Sequence, residues 1–246
     1  MAISFDEKKK IFKLDTAKST YLIGLSPEGY LGHIYYGERL NHPADNYLLR
    51  MAEHPFTPSV NKREKSMFLD FFPAEYPSGG VGDYRESCIN IRDSHGSMGS
   101  EFFYHSHEIY KGKHKLSGLP ASFGTEDEVE TLDIHCRDEV LGLELILSYS
   151  VFEKENILTR SARVINDGSQ KVHIEKIYSA CLDMDNEDFE MISLHGGWAR
   201  ERHIQQCALH YGKQSVESAR GESSHQEHPF IALVTPGTTQ KQGHVY

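Results

Sequence analysis

From residue 143 to residue 151 the chain keeps a two-residue period: Leu143, Leu145, Leu147, Tyr149 and Val151 alternate with Glu144, Ser148 and Ser150. An extended strand turns successive side chains to opposite faces, so this spacing specifies a strand with one buried side. Leu158, Ala162 and Val164 carry the period on, against Thr159, Ser161 and Arg163. Asn166-Asp167-Gly168 then supplies residues tolerant of positive φ, and Val172 and Ile174 resume the alternation. That order predicts a hairpin. A second hairpin is predicted between residues 21–25 and 30–36, joined through Pro27-Glu28-Gly29. Turn signals recur at short spacing and no long stretch keeps a helical period. The fold class that follows is all-β, a large two-sheet antiparallel β-sandwich.

Residues 41–100 break the pattern. Pro43, Pro55, Pro58, Pro73 and Pro77 are followed by Gly79, Gly80 and Gly82. So long a breaker-rich stretch in a β domain marks a functional loop or an interface. Residues 64–72 read as one short helix or strand. Near the other end, residues 230–234 read as a buried strand, and Pro236-Gly237 turns the chain. His244-Val245-Tyr246 then begins a strand that stops short, which would leave an open sheet edge. The expectation is one β-sandwich domain over residues 1–246, incomplete at its C-terminal end.

The 246 residues suffice for a substantial core. A formal charge of −10 gives no basic surplus with which to displace counterions from phosphates, so nucleic acid is not the expected partner. A neutral substrate suits the chain better. No segment has the unbroken apolar length of a membrane span. Residues 1–13 lack the apolar stretch of a signal peptide, so a cytoplasmic location is expected. Cys88, Cys136, Cys181 and Cys207 are widely spaced and read as thiols rather than a disulfide framework.

Candidate chemistry concentrates in residues 194–234. The only tryptophan, Trp198, follows Gly196-Gly197, with Arg200, Arg202, Arg220, His195, His203, His225 and His228 nearby in sequence. An aromatic plate flanked by forked donors suits a sugar: C–H faces stack on the ring and hydroxyls take the hydrogen bonds. The competing reading is a buried tryptophan closing a sandwich, with arginines in salt bridges. His225-Gln226 could meet a sugar hydroxyl or bond to its own loop. His105-Ser106-His107 has a spacing compatible with zinc, but no third ligand is in register, so no metal is expected. Phosphate-loop and nucleophile-elbow motifs are absent from the sequence, and no cofactor is expected.

The order of these residues resembles the N-terminal domain of bacterial α-galactosidases of glycoside hydrolase family 36. The resemblance rests on residues 194–203 with Trp198, on Gly29-Tyr30-Leu31-Gly32-His33-Ile34-Tyr35-Tyr36-Gly37, on Glu75-Tyr76-Pro77 and on Gly82-Asp83-Tyr84-Arg85. It continues through His107-Glu108-Ile109-Tyr110-Lys111-Gly112-Lys113, Gly118-Leu119-Pro120-Ala121 and Thr159-Arg160-Ser161-Ala162-Arg163. It implies a supersandwich truncated before a (β/α)8 catalytic barrel. The whole protein would be a retaining α-galactosidase acting on terminal α-galactosyl residues of melibiose- and raffinose-type oligosaccharides, assembled as a homo-oligomer, dimer or tetramer.

Retaining hydrolysis uses two carboxyl groups roughly 5 Å apart. The family carries both on the barrel, so the resemblance implies no catalytic residue in this chain. It implies instead that Trp198, Glu53 and Lys65 lend contacts to a galactose pocket. Where the family carries Asp and Arg, this chain has Glu53 and Lys65, and Lys replaces a planar fork by a point charge. Asp83 and Arg85 are further candidates, with a structural ion pair as the competing reading. Two alternatives stay open for the whole chain. One is a stand-alone sugar-binding or assembly module; the other is the N-terminal domain of another carbohydrate-active enzyme, such as a disaccharide phosphorylase.

Overall fold

The computed structural model describes residues 2–41, 49, 56, 58–59, 67–118 and 121–246. The described residues contain strands and no helix. In chain order the strands are β1 (Ile3–Asp6), β2 (Ile11–Asp15), β3 (Ser19–Leu25), β4 (Leu31–Glu38), β5 (Ile89–Arg92), β6 (Phe103–Lys111) and β7 (Glu130–Asp138). There follow β8 (Leu143–Phe152), β9 (Ile157–Asn166), β10 (His173–Ile177), β11 (Glu190–Gly197), β12 (Arg200–Ala208) and β13 (Glu227–Val234). They fall into two compact units, Met1–Asp183 and Met184–Tyr246.

In the first unit, β1 to β4 form one antiparallel meander and β6 to β9 another. The alternation read from the sequence sets which faces meet. Phe12, Leu14, Tyr21 and Ile23 of the first sheet share one core with Leu132, Ile134, Leu145, Leu147 and Tyr149 of the second. The Tyr21 and Tyr149 rings lie 6.1 Å apart, and Phe12 meets His107 edge-on at 4.9 Å. Each large apolar side chain buried this way contributes about 1.5–3 kcal/mol. The sandwich thus follows from the two-residue period.

The predicted hairpin from β9 into residues 172–174 does not form. β9 pairs with β8 along its whole length, and β10 instead pairs antiparallel with β5, more than eighty positions earlier. The cause lies at the turn. Asp167 N donates to Gly142 O at 3.1 Å, and a side chain on Gly168 would run into the Leu141 carbonyl. The Asn166-Asp167-Gly168 turn is therefore packed against the β7–β8 turn rather than folded back on β9. The second predicted hairpin forms as β3 and β4, closed by Gly29 at φ 96°.

A bulge between Leu22 and Ile23 shifts the β3–β4 register, so that Ile23 pairs with His33 while Tyr21 pairs with Tyr36. As bulges do, it re-aims side chains: His33 and Tyr36 both come to the Tyr21 ring, at 5.0 and 5.6 Å. The described part of 64–72, residues 67–72, is a turn in which Phe71 N and Phe72 N donate to Phe68 O. Met67, Leu69 and Phe72 form a smaller apolar cluster with Tyr30, Leu49 and Ala74.

The second unit is a three-stranded antiparallel sheet ordered β12-β11-β13. Residues 244–246 lie along β13: Val234 bridges Val245, and Leu233 and Tyr246 exchange backbone hydrogen bonds. No helix among the described residues is long and apolar enough to cross a membrane.

Candidate functional site

Trp198 sits at the tip of the β11–β12 hairpin, in the second unit, with 82% of its surface exposed. The reading as a core tryptophan is thereby corrected. The turn explains the residues before it. A side chain on Gly196 would press into the Arg200 carbonyl, so only glycine lets the two strands close there. Ala199 takes φ 59°, and its N–H donates to Glu201 Oε1 at 2.9 Å. Gly196→Ala is expected to cost about 1–3 kcal/mol in denaturant unfolding, as overpacked sites do; an unchanged midpoint would mean that the turn relaxes freely.

Arg202 also takes a positive φ, 62°, an uncommon state for a residue with a Cβ and a frequent mark of functional sites. The kink breaks the pleat of β12. Glu201 and Arg202, neighbours in sequence, consequently line one cavity of about 390 Å³ with Ser224, His225 and His228. His228 Nδ1 is buried without a hydrogen-bond partner among the described residues. Gln226, by contrast, is held locally: its Oε1 accepts from Arg220 Nε and Nη2 at 3.2 and 3.1 Å.

Behind the turn, Ser193 Oγ lies 2.7 Å from His195 Nε2, and His195 Nδ1 lies 2.8 Å from Glu227 Oε2. Serine, imidazole and carboxylate stand in the order of a nucleophile relay. Ser193, however, is 1% exposed in the central strand. What the contacts accomplish is to fix the imidazole and tie β13 to β11 where their register slips, between Ser193 and His195.

The remaining sequence candidates separate. Asp83 and Arg85, in the first unit, come together: Arg85 Nε and N donate to Asp83 Oδ1 at 3.2 and 3.3 Å, and Arg85 Nη1 lies 3.7 Å from Asp183 Oδ2. The Asp83 side chain is nearly buried, and Arg85 Nη2 has no hydrogen-bond partner among the described residues. Glu53 and Lys65 lie outside the described residues. His107 is engaged by packing on Phe5 and Phe12, with its Nδ1 2.8 Å from Tyr104 Oη. All four cysteines are free thiols; Cys88 and Cys136 are buried, and Cys181 and Cys207 are half-buried. Burial pushes the Cys136 thiol up to about 12.

Sequence reasoning missed a buried polar network among the described residues. Glu75 is fully buried inside the first unit. Its Oε1 accepts from Tyr21 Oη and Tyr149 Oη, both at 2.8 Å, and from Arg160 Nη2 at 2.6 Å. Arg160 Nη1 also donates to Cys181 O at 2.6 Å, and the guanidinium faces the Tyr149 and Tyr21 rings at 5.1 and 5.5 Å. His33 Nδ1 stands 3.4 Å from Glu75 Oε2 without forming a hydrogen bond. Burial first, and then the Glu75 charge, raises both tyrosine hydroxyls far above their ordinary range, so they stay protonated donors. Burial alone would lower the Arg160 pKa, but Glu75 and the two tyrosines outweigh it and raise it. The signal was present: Arg160 falls on the apolar face of β9, in phase with Leu158, Ala162 and Val164.

Residues 29–246 match the model of the glycosyl hydrolase family 36 N-terminal domain. The chain is 40% identical, over its full length, to the bifunctional alpha-galactosidase/sucrose kinase AgaSK of Mediterraneibacter gnavus, of which it covers 26%. It is 37% identical to alpha-galactosidase AgaA of Geobacillus stearothermophilus and covers 34% of it. Among solved structures, alpha-galactosidase AgaB of Geobacillus stearothermophilus superposes with a TM-score of 0.93 at 38% identity, over 100% of this chain and 34% of that one. A variant of AgaA in complex with raffinose superposes at 0.91, with 38% identity, over 96% of this chain and 33% of that one. The chain thus spans about a third or less of the relatives it matches.

Proposed function

Because the chain belongs to the family of glycosyl hydrolase family 36 N-terminal domains, we propose that it is the accessory β-domain of a retaining α-galactosidase. Its substrates are terminal α-galactosyl residues of melibiose- and raffinose-type oligosaccharides, the sugar class named for the AgaA complex with raffinose. The observation that carries the reading is Trp198, 82% exposed on a turn that glycine and a positive φ hold in shape. An indole left in water at a built turn is a stacking plate for the C–H face of a sugar ring.

In this reading the chain supplies contacts rather than reacting groups. Trp198, as a stacking plate, and Glu53 and Lys65, as partners for hydroxyls, are each candidate galactose contacts. Asp83 and Arg85 hold their loop as an ion pair and are further candidates for substrate contact. The two carboxyl groups that retaining hydrolysis needs, roughly 5 Å apart, belong to a part of the enzyme other than these 246 residues. The enzyme works in the cytoplasm as a homo-oligomer in which this domain makes subunit contacts.

Hydrolysis of a chromogenic α-galactoside tests the assignment, with the 246-residue chain assayed beside a longer chain that continues past Tyr246. Only the longer chain is expected to turn over. Activity in the shorter one would place two carboxyl groups within residues 1–246 and overturn the accessory role. Binding without turnover in either would favour the stand-alone sugar-binding module.

A further inference from the structure

The outer face of the β6–β9 sheet carries two adjacent rows of polar side chains. Thr131, Ser150 and Thr159 are register partners across β7, β8 and β9; Asp133, Ser148 and Ser161 form the next row. All six point away from the core that Leu132, Leu147, Tyr149 and Ala162 help to fill. A polar face on a sandwich sheet is ordinarily a solvated one. Here part of it is a cavity instead. Ser148, Ser150, Thr159 and Ser161 floor a space of about 330 Å³ that Lys113, Leu116 and Arg160 also line.

Two polar atoms on this face are buried without a partner among the described residues, Thr159 Oγ1 and Asp133 Oδ1. Their neighbours are satisfied: Thr131 Oγ1 donates to Gly112 O at 2.7 Å and lies 2.9 Å from Ser150 Oγ, and Asp133 Oδ2 accepts from Tyr110 Oη at 3.2 Å. Buried polar groups in folded proteins nearly always meet a partner, so the orphaned Thr159 hydroxyl in the cavity lining marks a place where something binds.

We propose that this cavity binds one ring of a neutral sugar, independently of Trp198. The volume lies at the lower end of the range for small-molecule pockets, which suits a single ring. Hydroxyl groups both donate and accept, and therefore match the hydroxyls of a polyol in either sense. Of the two cations in the lining, Arg160 is already neutralised by Glu75, which leaves hydroxyls as the main polar groups offered to a ligand. Leu116 offers an apolar contact to a C–H face. The cavity belongs to the first compact unit, whereas Trp198 belongs to the second.

Methyl α-galactoside and methyl α-glucoside are the probes, titrated into the isotope-labelled 246-residue chain and followed by amide shift mapping. Shifts confined to β7–β9 and residues 112–122 are expected with at least one of them. Thr159→Val, which keeps the branched shape a strand favours, should weaken binding about tenfold, as loss of a buried hydrogen-bond partner does. Lys113→Met, a loop substitution that leaves the sheet intact, should weaken it as well, and Trp198→Ala should leave it unchanged. Absence of shifts with both sugars would mean that the cavity holds water only, and would overturn the proposal. Shifts abolished by Trp198→Ala but not by Thr159→Val would overturn it too, while leaving the proposed galactose contact of Trp198 standing.

Discussion

Glu75→Ala should destabilise the protein by about 3–5 kcal/mol, the usual cost of removing one member of a buried ion pair. The magnitude comes from what stays behind. Arg160, always charged, would keep the Cys181 carbonyl but lose its counter-ion, and two tyrosine hydroxyls would lose their acceptor. Arg160→Met should cost a comparable amount, leaving a buried carboxylate uncompensated. The decisive variant is the double one: with both charges gone, its loss should fall short of the summed single losses by about 1–3 kcal/mol, as coupled neighbours do. Urea unfolding of the four proteins measures this cycle. Strictly additive losses, or single losses below about 1 kcal/mol, typical of exposed pairs, would mean that the network does not tie the two sheets together.

This network also shows where the sequence is legible. The apolar period alone determined the strands, the buried faces and the sandwich, because burial is a property of one strand at a time. Partner choice is not. The β9 turn carried a sound hairpin signal, yet its glycine was used to pack against Gly142, and β10 went to a strand far earlier in the chain. The pairing depended on a non-local fit that no local spacing encodes. Arg160 lay between both cases. Its position on the apolar face was readable from the period, but its partner Glu75 sits in a breaker-rich stretch with no period to place it.

The site residues divide in the same manner. Gly196-Gly197 before Trp198 signalled a turn, and the turn is there. Whether the indole pointed to core or water could not be read, since a tryptophan beside arginines suits both. Its exposure is decided by the Gly196 contact with Arg200 and by the αL conformation of Ala199. Arg202 gave no sign of its positive φ, because a bulky residue in that state is held by its surroundings rather than by its own preference.

Trp198→Ala, made in the longer chain that hydrolyses galactosides, should lower kcat/KM more than tenfold while leaving the melting temperature unchanged. The two halves of this expectation have separate physical grounds. Stability should hold because a side chain with 82% of its surface in water buries little apolar area. Turnover should fall because the indole and the sugar face bury apolar area against each other, at about 25 cal/mol per Å². Trp198→Phe should recover part of the loss, since a smaller ring still stacks, and Trp198→Leu, of similar hydrophobicity but without a π face, should recover less. A further division of kcat from KM identifies when the plate acts. A rise in KM with kcat unchanged would make the indole a contact equally strong in ground and transition states, whereas an equal fall in kcat and kcat/KM would make it one formed only in the transition state. Unchanged kinetics with an intact fold would remove Trp198 from the pocket, and with it the observation on which the accessory role most depends.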